Sequence, residues 1–169
     1  MSELEPSVQK VVIKEQQQVQ EEQSPEAKKM RFQFKETPSL PVNVSVNLDN
    51  IVTTFLEHFI DMKLYHFQTT SFGRHVALNT YIPAFLANLD LFAEIAQGNE
   101  QRSLQIGKWA MQGEPLNDTN ALEKLVRFEQ FLRTQVAEYS KNSKSPELLN
   151  VRDDMIGKVA QLRYLFKFK

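Results

Sequence analysis

The sequence predicts an all-α fold: a four-helix bundle with a long crossover between helices two and three, preceded by a disordered or extended tail. Three observations lead there. Four stretches of roughly 20 residues carry apolar side chains at spacings of three and four, the mark of one buried helix face. No stretch of comparable length alternates with the period of a strand. Between the second and third stretches lies an aperiodic connection, 100–117, long enough to return the chain along a bundle.

Residues 1–42 form the tail and linker, and 43–169 the bundle. The run "KEQQQVQEEQSPEAKK" has little to bury and cannot offset its ordering entropy. "VQKVVI" is a short apolar run able to dock on a protein partner. "KKMRFQFK" interleaves Lys28, Lys29, Arg31 and Lys35 with Phe32 and Phe34. That pattern reads either as a weak nucleic-acid or partner-binding patch or as a solvated linker with two aromatics. "TPSLPVN" is extended, because each proline biases its predecessor away from helix.

The first helix begins at Asn47 or Asp49, either of which can cap it. Leu48, Ile51, Phe55, Phe59 and Met62 form its apolar face, and His66 falls next on that face. His58 lies about 80° round from His66 at 100° per residue, which predicts a flank or surface position beside Glu57. "TTSFG" breaks the chain, with Gly73 free to take a left-handed conformation. The second helix is expected over 74–97, with Ala77, Leu78, Ile82, Leu86, Leu89 and Ala93 inward and Gly98-Asn99 ending it. Pro83 should kink or restart it. In the connection, Ile106, Trp109 and Met111 fit a short helix or an ordered crossover. The third helix, 118–141, has Asp118 or Asn117 as cap and Leu122, Leu125, Phe128, Leu132 and Val136 as its stripe. Ser145 caps the fourth, 146–166, with Pro146 in its first turn.

Composition narrows the chemistry. Twenty Lys and Arg against 21 Asp and Glu give a net charge of -1, so the whole surface exerts no field that would recruit nucleic acid. The chain has no cysteine, hence no disulfide, thiolate nucleophile or cysteine metal site. The opening "MSELEPSVQK" lacks a basic start and an apolar run, so no signal peptide is expected. No apolar stretch is expected to reach the roughly 20 residues of a membrane span. A cytoplasmic or virion setting fits, and secretion does not. With five glycines there is no phosphate-cradling loop, and no nucleophile elbow exists.

The polar residues of the first two helices ask for a reason. His66 and His75 stand nine apart across the break in "KLYHFQTTSFGRH". Asp90 and Glu94 are four apart in "FLANLDLFAEIA" and so share a helix face. Ionised carboxylates buried there would need a partner or a cation. Two imidazoles and two carboxylates are ligand types that hold iron or zinc in helical bundles. The plainer reading gives the histidines ordinary packing partners and turns Asp90 and Glu94 to water.

"KLYHFQT" followed by "RHVALNTYIPAFLANLDLFAEIAQG" resembles the first two helices of Dps-type mini-ferritins. In that family a histidine on the first helix is followed by one opening the second, then an Asp fifteen residues on and a Glu four further. His75, Asp90 and Glu94 keep those last two spacings. The ending "LLNVRDDMIGKVAQLRYLFKFK" is similar to a divergent ferritin-like family of large DNA viruses and phages. The resemblance implies a homo-oligomer, a two-fold dimer or larger. In it, His66 and His75 of one chain and Asp90 and Glu94 of another would form an iron ferroxidase site. Two classes of function are therefore expected: a Dps-like iron-binding protein, or a structural protein of a virion that uses the bundle as scaffold and the tail as tether.

Overall fold

The computed structural model describes residues 46–110 and 115–168. The chain divides into two compact units, Met1–Val44 and Ser45–Lys169, and every described residue lies in the second. The tail, with Lys28, Lys29, Arg31, Phe32, Phe34 and Lys35, lies outside the described residues, as does Met111. Among the described residues the fold is all-helical, without a strand.

Helix α1 spans Leu48–Gln68. Asn47 is the cap, its side-chain oxygen accepting the Asn50 N–H at 2.9 Å. That satisfies one of the donors a helix start leaves unpaired. Leu48, Ile51, Phe55, Met62 and His66 are buried as the spacing predicts. His58 is not on a flank: it is 4% exposed. Its Nε2 shares a 2.7 Å hydrogen bond with the Tyr81 hydroxyl, and its ring lies flat on Phe128 at 3.7 Å. A helix packed between two others buries a wider arc than a single stripe, and that arc takes in position 58.

Helix α2 spans Phe72–Glu100, capped by Ser71, whose Oγ accepts the Arg74 N–H at 3.4 Å. It starts earlier than predicted because Ser71 supplies the cap. Gly73 sits in the first turn and does not take a left-handed conformation. Nor do Gly98 and Asn99 end the helix; Gln101 does, at φ 51. Pro83 neither breaks nor restarts it. Proline frees the carbonyl four residues back, on Asn79. Pro83 and Asn79 are both exposed, so water can satisfy that carbonyl. α2 is also long and apolar enough, by length and composition, to cross a membrane. This corrects the expectation that no stretch would be, although its inner face is buried in this fold.

Helix α3 spans Asp118–Phe131 behind a capping box. Asn117 accepts the N–H groups of Thr119 and Asn120, and Asn120 accepts that of Asn117. Where one helix was predicted to 141, a π-helical turn, Leu132–Val136, joins α3 to α4 (Ala137–Asn142). Backbone dihedrals stay helical through both joints, so the three pieces form one rod. Helix α5 spans Pro146–Leu165, with Ser145 as cap and Pro146 in its first turn.

Ties between the elements set their directions. Arg102, just past α2, pairs with Asp49 at the start of α1, at 3.1 Å. The crossover then runs along α1. The Gln105 N–H bonds Asp49 at 2.9 Å, the Trp109 indole N–H bonds Glu57 at 3.1 Å, and the Leu116 N–H bonds the Gln68 side chain at 2.8 Å. It is thus an ordered, non-helical strap over its described parts. The strap delivers α3 to the end where α2 begins, so α2 and α3 run parallel. Tyr139 on α4 reaches Glu100 at 2.5 Å, at the opposite end. α5 returns to place Phe166 against Tyr65, 5.6 Å between ring centroids.

The core is aromatic at its centre. Phe55 meets Phe85, Phe92, Phe128 and Phe131 edge-on at centroid distances of 5.3–6.2 Å. Edge-on contact sets the positive ring rim against a negative face and adds to the burial term. Two predicted core positions, Leu86 and Leu122, are exposed.

Candidate metal site

The break between α1 and α2 brings the two histidines of "KLYHFQTTSFGRH" together. α1 ends at Gln68, and Thr69 and Ser71 are extended. Three residues then reverse the chain, which lays the first turn of α2 against the last turn of α1. The rings of His66 and His75 stack at 4.0 Å between centroids, 22° from parallel.

Their hydrogen bonds differ. His75 Nδ1 lies 3.1 Å from the His66 carbonyl oxygen. A carbonyl only accepts, so Nδ1 carries the proton and donates it. The lone pair of a neutral His75 is then on Nε2, the arrangement in which a backbone carbonyl fixes the tautomer of a ligating imidazole. His66 is buried, and its Nδ1 has no hydrogen-bond partner. A buried nitrogen without a partner is uncommon in a folded protein and calls for an explanation. Burial first, then the charge of His75 and Lys63, holds the His66 pKa below its ordinary value. The ring therefore stays neutral, the form that binds cations, to lower pH than a free histidine. Parallel rings set their edge nitrogens side by side, so one cation held by both requires the rings to splay.

Asp90 and Glu94 do not join them in the same chain. Both are on the exposed face of α2, one turn apart. Asp90 is fifteen residues beyond His75 on one continuous helix, roughly 22 Å at 1.5 Å per residue. They are not the buried carboxylates that their apolar neighbours suggested. Those neighbours point inward (Leu89, Phe92, Ala93) while these two point out. Among the described residues of a single chain, no three His, Asp or Glu side chains gather into a cation site.

Sequence reasoning missed a polar cluster beside the histidines. The Tyr65 hydroxyl donates to Asp118 at 2.6 Å and accepts from Arg74 at 3.0 Å. Arg74 also donates to the Asp118 backbone carbonyl and lies 5.0 Å over the Phe166 ring. These contacts tie α1, α2, α3 and the segment after α5 at the histidine end. Nothing in the spacing of four residues from four elements announces them. A cleft of about 420 Å³ opens beside the cluster, lined by Tyr65, Gln68, Thr69, Asn117 and Asp118, with neither histidine in its wall.

The chain belongs to a family of unknown function, DUF5856, whose pattern matches residues 66–166. The match begins at His66 and takes in the histidine hairpin, Asp90, Glu94 and every later helix. No curated protein and no solved structure matches the chain.

Proposed function

We propose that this member of the family is a ferritin-like, Dps-like iron-binding protein. Its ferroxidase site is assembled between two copies, from His66 and His75 of one and Asp90 and Glu94 of the other. The observation that carries the reading is the histidine pair: two imidazoles in ring contact, one with its tautomer set and one with a buried nitrogen lacking a partner. Two further observations support it. Asp90 and Glu94 stand exposed on one face of α2, available to another chain. One long connection between parallel second and third rods is the connectivity of ferritin-like bundles.

Each group has a defined part. The two imidazoles would give iron(II) two nitrogen ligands without adding charge. The carboxylates supply the negative charge that favours the iron(III) product over iron(II). Oxygen or peroxide takes the electrons. Burial of His66, then the charge of His75 and Lys63, lowers its pKa and so favours the neutral imidazole that binds a cation.

Anaerobic titration with iron(II), followed by air, tests this reading. Stoichiometric binding and fast oxidation are expected from the wild type. Both should be lost in the His66→Ala, Asp90→Ala double variant. Oxidation unchanged by the double substitution would refute the proposal.

A further inference from the structure

The cleft beside Tyr65 is walled by polar groups that are held in place yet keep free bonding capacity. It encloses about 420 Å³, inside the range of about 300–1,000 Å³ that small-molecule sites occupy. The end of α1 and the turn after it supply Gln68, Thr69 and Thr70, and the start of α3 supplies Asn117, Asp118 and Thr119.

Backbone bonds fix both amides of this wall. Gln68 Oε1 accepts the Leu116 N–H at 2.8 Å. Asn117 Oδ1 accepts the N–H groups of Thr119 and Asn120 at 2.9 and 3.1 Å. The acceptor end of each amide is thereby taken, which leaves its NH2 as the end able to bond a guest. Asp118 is the converse. One of its oxygens accepts the Tyr65 hydroxyl at 2.6 Å, and the other has no partner among the described residues. Burial, then the bond to Asp118, holds the Tyr65 pKa above its ordinary value, so the phenol keeps the proton it donates. The cleft thus offers two donors and one acceptor in fixed places. The hydroxyls of Thr70 and Thr119 can play either part.

Charge selects the guest. Arg74 lies 3.5 Å from Asp118 and offsets its charge. An anion would meet the carboxylate in the wall. An amine would have to share that carboxylate with the guanidinium. A divalent cation would find a single carboxylate, and among the described residues no three His, Asp or Glu side chains gather. A neutral molecule meets none of these penalties. A hydroxyl both donates and accepts, so one set between Asp118 and an amide NH2 satisfies both. Adjacent hydroxyls on a ring repeat that pattern, and Leu116 gives the wall an apolar side chain for the ring's C–H groups.

We propose that this cleft binds a neutral hexose unit, its hydroxyls donating to Asp118 and accepting from Gln68 and Asn117. Neither histidine takes part, so this site stands apart from the proposed iron site.

The test is saturation-transfer NMR on the full chain, with a chelator present, against glucose, galactose and mannose at millimolar concentration. Transfer to at least one of them is expected. Thr70→Trp sets an indole at the rim, outside the hydrogen-bonded cluster, and should abolish it. Asn117→Ser keeps a capping oxygen for α3 but removes the NH2. It should weaken the affinity about threefold to tenfold, the scale of one hydrogen bond. Circular dichroism checks that both variants fold. Methyl glycosides separate two sources of the same chemistry. Binding equal to that of the free sugar means the end of a glycan, and lost binding means a free monosaccharide; either supports the site. Transfer to none of the three hexoses would overturn the inference. So would transfer that survives Thr70→Trp unchanged, or binding of inorganic phosphate, spermidine or adenosine in place of the sugars. Because metal is absent, sugar binding that succeeds while iron binding fails removes the ferroxidase reading and leaves this site standing.

Discussion

His58 shows how burial reshapes a single titration. Burial first, then the charge of Lys124, lowers its pKa from 6.5 to about 3. The folded protein thus holds a neutral imidazole where the unfolded chain binds a proton. Stability from this group is fully present above pH 6.5 and is lost as pH falls from 6.5 toward about 3. At one pKa unit to 1.36 kcal/mol the loss is several kcal/mol, on the order of 5. His58→Gln keeps an acceptor for Tyr81 but does not titrate. Denaturant midpoints should fall less steeply between pH 6.5 and 4 in this variant than in the wild type. Equal slopes would mean the imidazole is not neutral in the fold. The sequence placed His66 on the buried face but put His58 at the edge. One stripe at helical period describes a helix with one neighbour, and α1 packs against both α2 and α3.

At the scale of elements, the starts of α1, α3 and α5 were legible because capping is local chemistry, while the Ser71 cap of α2 went unread. Asn47, Asn117 and Ser145 each cap within three residues of themselves. Asn117→Ala removes acceptors for two N–H groups and should cost about 1 kcal/mol in chemical denaturation. The helix ends were less legible. Gly73 and Gly98 read as breakers, yet both are helical, because the core contacts of α2 outweigh a glycine's backbone entropy. Gly98 has nothing within 4 Å of an added Cβ. Gly98→Ala should therefore raise stability by about 0.5–1 kcal/mol. A loss would indicate that the end of α2 needs glycine's freedom. The π turn at Leu132–Val136 was not legible at all. It inserts between two stretches of good helical periodicity and shifts phase without a proline or glycine to mark it.

At the scale of the whole molecule, one chain provides half of the proposed site. The sequence paired His66 with His75 correctly because a hairpin of three residues leaves little freedom. It could not place Asp90 and Glu94 beside them, since residues fifteen apart on one helix meet only through another chain. This gives the central claim a direct consequence: broken halves should complement. His66→Ala and Asp90→Ala chains are each expected to oxidise iron(II) slowly by themselves. A dimer of one with the other retains one whole site, with His66 from one chain and Asp90 from the other.

The decisive measurement is the rate of iron(II) oxidation by the two variants co-expressed at equal level, compared with each alone. Random pairing about a two-fold axis leaves about a quarter of the wild-type sites whole, so the mixture should recover about that fraction of the rate. A mixture no faster than its parts would contradict a site shared between copies.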